Sequence, residues 1–325
     1  MNWIKNSVLL IVSILFCLIV LEIGARWLDL GYGFSPLLGD PVVHHKHPEN
    51  DFFVGYHPHG VWDSVSVHYD RFGNRYDGET TIEAPDGVIL GDSFVEGTMV
   101  EYGATIPAAF DGFGLRVWNL GVSSYSPILS YLQLKRSSDN LKSSKFALHL
   151  LYLNDIDGDP YFEEHATFVD GNVVAVPGNT NRLSDILRNV HFFRLLRRIQ
   201  LTLMFRFGMT DDNWRINPTD PAPINATNKK YLAKIQRFVE GLGARYFLSC
   251  VPPKDADGQA AMEEGIFCQS VREFARKSGI TYIDLPRAFS GQKLFFPEDI
   301  HFDSAGSRRV SEFVTNQVVQ SLAAR

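Results

Sequence analysis

Val88-Ile-Leu-Gly-Asp-Ser-Phe94 is the stretch whose reading decides the fold. Val88, Ile89 and Leu90 form an apolar run that reads as a buried strand. Gly91 then permits a sharp turn that a side chain would hinder. Asp92 and Ser93 follow at the strand's carboxyl end, where open parallel sheets bind their ligands. Ser93 therefore stands where a nucleophile is useful, although Gly, Asp and Ser also populate ordinary turns for backbone reasons.

The far end of the chain supplies what a serine alone lacks. Asp299-Ile-His301, followed by Asp303-Ser-Ala-Gly306 and a helical tail, offers an acid and a base for a Ser-His-Asp arrangement. The spacing is not that of the α/β-hydrolase elbow, which needs a glycine two residues after the serine; Val95 stands there. Between the two ends lie Asn119-Leu-Gly121-Val-Ser-Ser-Tyr125 and Leu153-Asn154-Asp155.

Taken in order, these four segments resemble the four blocks of the SGNH (GDSL-type) hydrolase superfamily, and the resemblance covers roughly residues 86–320. Two positions depart from the pattern. Tyr152 occupies the place of a glycine two residues before the block-three asparagine. The last block reads Asp-x-His, as in alginate O-acetyltransferase-like members, rather than Asp-x-x-His; Glu298 stands three residues before His301, so Asp299 and Glu298 compete as the acid and Asp299 is preferred. The resemblance implies a flavodoxin-like three-layer α/β sandwich around a five-stranded parallel sheet. It also implies an oxyanion hole made from the backbone N–H groups of Ser93 and Gly121 with the Asn154 side-chain amide, and a reaction that needs no cofactor and no metal.

The residue pattern agrees with that fold class. Candidate strands at 87–91, 116–121, 145–153, 245–251 and 281–285 alternate with helices, for example 127–140 and 257–278, as βα units of a parallel sheet do. A last helix begins near Ser304, capped by Asp303 or Ser304. Residues 87–325 are thus expected to form the catalytic domain. Its insertion, 155–230, is the candidate for a substrate-shaping lid. Within the insertion, Leu183–Phe205 has helical periodicity and carries Arg188, Arg194, Arg197 and Arg198. Such a helix can lie on an anionic membrane surface, but the preferred expectation is that it packs its apolar side on the core. Asp211–Trp214 and Pro218–Pro223 read as an irregular loop.

Residues 1–30 begin with Lys5 and run uncharged from Asn6 to Leu21, a little short of the ~20 residues of a membrane span. The absence of a clear A-x-A cleavage site favours an uncleaved transmembrane anchor over a signal peptide, with the catalytic domain outside the cytoplasm. Residues 31–86 are polar and aromatic, and are expected to cover the core. They contain a candidate strand at Ser64–Tyr69 and a turn at Arg71–Arg75. His44, His45, His47, His57 and His59 show no repeated ligand spacing, so surface loop histidines are expected rather than a metal site.

A net charge of −6 argues against general nucleic-acid binding. Three cysteines without a CxxC give no structural zinc site; Cys250 and Cys268 are either a disulfide or two buried thiols. The function expected from these features is a membrane-anchored serine esterase removing acyl groups, acetyl first among them, from an envelope carbohydrate or lipid. The alternatives are an O-acyltransferase using the same triad on a polysaccharide, and a non-catalytic envelope protein.

Overall fold

The computed structural model describes residues 2–28, 30, 37–56, 64–180, 190–207, 222–297 and 299–324. A helix α1 (Asn2–Trp27) precedes everything else. The strands that follow are β1 (Leu38–Asp40), β2 (His44–Lys46), β3 (Asp51–Tyr56), β4 (Ser64–Tyr69), β5 (Arg75–Tyr76) and β6 (Gly87–Leu90). The short helix α2 (Ser93–Glu96) leaves β6, followed by α3 (Ile106–Asp111), β7 (Val117–Asn119), α4 (Pro127–Arg136) and β8 (Phe146–Leu151). Beyond β8 come α5 (Asp155–Glu164), the hairpin β9 (Thr167–Val169) and β10 (Asn172–Ala175), and α6 (His191–Arg206). The chain closes with α7 (Ala226–Gly241), β11 (Arg245–Cys250), α8 (Gly265–Ser278), β12 (Thr281–Ile283), α9 (Leu285–Phe289) and α10 (Ser304–Ala323).

The main sheet has eight strands in the order β12-β11-β8-β6-β7-β5-β4-β3. The parallel pairings run through β12, β11, β8, β6 and β7, the five strands expected from the alternating pattern. The expectation of a sheet of five strands is corrected, because β5, β4 and β3 continue it with antiparallel pairings. Residues 51–56, 64–69 and 75–76 of the segment expected to cover the core are therefore strands of the main sheet. The physical reason is edge protection, since a bare β7 would present a row of unpaired N–H and C=O groups. Ser64–Tyr69 is a strand, and Arg71–Asn74 turns between β4 and β5.

Side-chain alternation along the strands builds two cores. Ile89, Leu148 and Leu150 face one layer, against Phe110 of α3 and Val310, Val314 and Val318 of α10. Val88, Leu90, Ala147 and Leu248 face the other, against Leu134 of α4, Ile235 of α7 and Val271 of α8. The result is helices on both faces of a twisted sheet. β6 lies between β8 and β7, so the chain reverses direction across the sheet at β6; this is where an α/β crevice opens.

Boundaries are shorter than expected at several ends. Helix α8 starts at Gly265, not at residue 257, because Asp255–Ala261 folds as a turn bridged to the segment before His301. Helix α4 stops at Arg136. Asp303 caps α10, its carboxylate accepting from the Gly306 N–H at 2.7 Å. The expected loop at 211–214 and most of 218–223 lie outside the described residues, as do His57 and His59.

Cys250 at the end of β11 and Cys268 in α8 form a disulfide, with Cα atoms 5.5 Å apart and a sequence separation of 18. A crosslink over a loop of that length stabilises by about 3 kcal/mol in the chain-entropy account. Replacing both cysteines with alanine is expected to lower the midpoint of urea unfolding correspondingly, while a reductant lowers that of the wild type and not that of the variant.

Candidate active site

β6 ends at Leu90, and the chain turns at Gly91 with φ +150. A Cβ at this position would sit 2.7 Å from the Leu150 carbonyl oxygen and 2.6 Å from Val95 Cγ2. The turn therefore needs glycine for space as well as for backbone freedom. Asp92 caps α2: its Oδ1 accepts from the Phe94 N–H at 3.0 Å. Ser93, partly exposed, is the first residue of that helix.

The loop before α10 brings the other two groups to it. His301 Nε2 lies 2.7 Å from Ser93 Oγ, across 208 residues of sequence. His301 Nδ1 lies 2.5 Å from Asp299 Oδ1, which also accepts from the His301 backbone N–H at 2.8 Å. Nucleophile, base and orienting acid thus stand in hydrogen-bonded series. Glu298, the competing acid, lies outside the described residues. Lys254 holds the acid's loop: its Nζ donates to the carbonyls of Phe296, Pro297 and Asp299 at 2.9, 2.8 and 2.8 Å. Phe94 packs beside the imidazole with ring centroids 5.0 Å apart.

The expected oxyanion donors stand differently from one another. No partner for the Ser93 N–H occurs among the described residues, as suits the first turn of a helix. Asn154, after β8, donates one amide N–H to Asp92 Oδ2 at 3.0 Å, which leaves the second N–H of that amide to offer. The Gly121 N–H is already engaged, donating to Asn119 Oδ1 at 3.0 Å. Gly121 must be glycine for a steric reason. A Cβ there would meet the Glu96 nitrogen at 2.5 Å and Val95 Cβ at 2.6 Å, so the clash is with α2 and not with a substrate. Asn119 completes this contact by donating to the Val95 carbonyl at 2.8 Å.

Burial would depress the His301 pKa, but the hydrogen bond and charge of Asp299, with Asp92 and Glu96 behind it, raise it above its ordinary value. Burial also pushes the Asp92 carboxyl up, opposed by the Phe94 N–H, the His301 charge and the Asn154 amide. A base must be neutral to take a proton. Ester turnover is therefore expected to fall on the acid side, with the limb of kcat/KM lying above the ordinary histidine value near 6.5. Asp299→Asn is expected to move that limb down and to cost on the order of 10⁴ in kcat, by loss of the correct tautomer; Glu298→Gln is expected to do neither. Stability runs the other way. A histidine with a raised folded-state pKa contributes stability that is complete below its unfolded pKa and lost as pH rises through the folded one.

The cleft at Ser93 has a volume of about 10 Å³, room for roughly one water-sized group. Phe94, Met99, Val100 and Phe302 give it apolar walls. Among the described residues, none from insertion 155–230 lines it; α5 and the β9–β10 hairpin pack instead beside α4 and α7.

The expectation of surface histidines is corrected for two of them. His47 is buried and His45 half-buried, in a network around Glu96, the last residue of α2. His47 Nε2 lies 3.0 Å from Glu96 Oε1, and the Tyr69 hydroxyl donates to the same oxygen at 3.1 Å. Ser123 donates to Glu96 Oε2 through its N–H at 2.7 Å and its hydroxyl at 2.6 Å. Arg75, fully buried, donates to the carbonyls of Glu96 at 2.8 Å, of Val100 at 2.6 Å, and of Gly97. His45 Nε2 lies 2.8 Å from the Ser123 carbonyl oxygen, and burial takes its pKa down to about 4. Among the described residues no group of three His, Cys, Asp or Glu side chains is placed to hold a metal. Glu96, Arg75, Tyr69 and Lys254 carry no motif signal. Their roles exist only across sequence separations of 21 to 49 residues.

This chain is similar to GDSL-like lipases and esterases of known structure. A GDSL-like lipase from Bacteroides thetaiotaomicron shares 11% identity, with a TM-score of 0.35 over 73% of this chain and 87% of that one. The psychrotrophic esterase EstA from Pseudoalteromonas sp. shares 10%, with a TM-score of 0.41 over 73% and 98%. TesA shares 14%, with a TM-score of 0.42 over 73% and 98%. No family model and no curated protein matches the sequence. At such identities and TM-scores the likeness decides no chemistry, which rests on Ser93, His301 and Asp299 themselves.

Proposed function

We propose that this chain is a membrane-anchored serine ester hydrolase that removes small acyl groups, acetyl in the first place, from a carbohydrate or lipid. The observation that carries the proposal is the 2.7 Å approach of His301 Nε2 to Ser93 Oγ, with Asp299 on the other ring nitrogen. In the reaction, His301 takes the Ser93 proton as Oγ attacks the ester carbonyl. The C–O bond to the alcohol then breaks, and His301 returns the proton to the leaving alkoxide. Water repeats the sequence on the acyl-enzyme, releasing the acid and restoring Ser93. Charge on the carbonyl oxygen in each tetrahedral intermediate is met by the Ser93 N–H and the free Asn154 amide N–H. Gly121 joins them as a third donor when its N–H turns from Asn119 to the substrate.

The narrow cleft beside Ser93, walled by Phe94, Met99, Val100 and Phe302, supports a short acyl group. Placement of the domain outside the cytoplasm is supported by the Cys250–Cys268 disulfide, which persists in oxidising compartments, and by α1. Its segment Trp3–Trp27 has a mean hydropathy of 2.9 over the most apolar window. The test is hydrolysis of p-nitrophenyl acetate and butyrate by the full chain in detergent, beside His301→Ala. Acetate turnover well above butyrate turnover, lost in the variant, is the expected result. Undiminished turnover in His301→Ala, or equal turnover of both esters, contradicts it. Including an oligosaccharide acceptor shows whether the acyl group passes to a sugar hydroxyl instead of water, which would make the protein a transferase.

A further inference from the structure

The second half of α1 and the insertion helix α6 are joined by a contact that neither helix's sequence announces. Glu22 interrupts the apolar face of α1. Its Oε2 accepts from the Phe192 N–H at 2.8 Å and its Oε1 from the His191 N–H at 3.0 Å. These are the first two residues of α6, whose N–H groups have no partner within the helix. Arg26 Nε donates to the same Oε1 at 2.7 Å. A carboxylate so close to an apolar span is costly unless it is paired. Here two helix N-terminal amides and a guanidinium pair it. The helix dipole adds to the attraction.

Burial along α1 is confined to this end. Ala25 is 3% exposed, Glu22 and Gly24 are half-buried, and the apolar residues from Val8 to Leu21 are exposed throughout. α6 therefore docks where α1 leaves its apolar stretch. From Lys5 to Glu22 a helix rises about 26 Å, close to the hydrocarbon thickness of a bilayer. A helix fixed to Glu22 is thereby held at the level of the membrane surface.

The outer face of α6 has the composition this level requires. Phe193, Leu196, Ile199 and Leu203 are 41–47% exposed, and Phe207, just beyond the helix, is 69% exposed. At about 100° per residue they fall within an arc of roughly 120°, one continuous stripe. The expectation that this helix packs its apolar side on the core is corrected, because the stripe faces outward. Arg194 of this helix is buried; beside it the helix sequence contains Arg197, Arg198 and Arg206 and no acidic residue. A cationic helix with an exposed apolar stripe lies in the headgroup–acyl boundary of an anionic bilayer.

We propose that α6 is a second membrane contact: it lies in the plane of the bilayer surface, stripe inward, clamped to the anchor by Glu22. The proposal rests on the reading of α1 as a membrane anchor. Two attachments, one spanning and one lying flat, would hold the catalytic domain against the surface at a set tilt. The esters such a domain reaches are those borne by membrane lipids or by polymers lying on them.

The test uses the full chain in nanodiscs of phosphatidylcholine and phosphatidylglycerol carrying brominated acyl chains. Cys17 is the only free cysteine among the described residues, so Cys17→Ser gives the background. A nitrobenzoxadiazole probe is then placed through Ile199→Cys, Leu203→Cys, Ile11→Cys or Met262→Cys. All four positions are exposed, so none of these changes disturbs packing. The expected result is loss of roughly half the fluorescence at residues 199 and 203 with bromines near the headgroup, and a larger loss at 11 with bromines near the midplane. Met262, the control, is expected to lose none. Adding Glu22→Gln is expected to reduce the loss at 199 and 203 and leave that at 11 unchanged. Quenching at 11 without quenching at 199 and 203 overturns the proposal while the anchor stands. Absence of quenching at all three overturns both. A blue-shifted probe at 199 that bromines do not quench, with cross-linking between chains through the same position, overturns it in favour of a second copy covering the stripe.

Discussion

Ser93→Ala is expected to reduce ester turnover by roughly four to six orders of magnitude, with KM nearly unchanged. The size follows from the geometry. Removing Oγ removes the atom that attacks, and leaves His301 Nε2 without the partner it holds at 2.7 Å. What survives is the oxyanion donors and the binding of the ester, which accelerate attack by water only weakly. The fold should be unaffected. Ser93 is partly exposed at the first position of a short helix, and that helix is capped by Asp92 and packed through Phe94 and Val95, not through the hydroxyl. Turnover in matched wild-type and variant preparations checks the first part, and urea midpoints within experimental scatter check the second. A variant that retains even a hundredth of wild-type turnover, in protein free of wild type, excludes Ser93 as the nucleophile.

The second large effect is one of stability. Glu96→Ala is expected to destabilise the protein by about 3–5 kcal/mol, the range found when one member of a buried polar cluster is removed and its partners remain. Glu96 is fully buried, and its two oxygens serve the Tyr69 hydroxyl, the Ser123 N–H and hydroxyl, and His47. Alanine leaves the buried Tyr69 hydroxyl and the His47 ring facing an empty place away from water, and each unpaired buried donor costs about 1–3 kcal/mol. Glu96→Gln keeps the shape and one acceptor oxygen and should lose less than half as much. Since α2 carries Ser93 at one end and Glu96 at the other, the alanine variant should also lose turnover in the fraction that remains folded, through misplacement of the nucleophile. Urea unfolding ranks the two variants. Equal stability of wild type and Glu96→Ala would mean that the network is idle.

Both predictions concern the same four-residue helix, and the sequence revealed only one end of it. The Ser93 end is legible because its neighbours are local. An apolar strand, a glycine turn and an acidic cap within seven residues produce the geometry with no help from elsewhere. The Glu96 end is illegible because a buried glutamate looks in sequence like any exposed one. What holds it is drawn from His47 after β2, Tyr69 of β4 and Arg75 of β5; the sequence offered β4 as a strand and Arg71–Arg75 as a turn, but not their meeting with Glu96.

The same division holds for the molecule. Sequence by itself determined the alternation of strand and helix from residue 87 onward, the five parallel strands, the capped helix after His301, and the order of the four blocks. These depend on short-range periodicity, turn chemistry and capping, all of which act within a few residues. Tertiary structure alone decided that three antiparallel strands extend the sheet, that His47 lies inside, that the Gly121 N–H is spoken for by Asn119, and that α6 turns its apolar stripe outward beside Glu22. Each of these is a pairing between distant segments. Hydrogen-bonding groups and apolar surfaces in a sequence state a demand for partners but not their address, and only the packed chain supplies it.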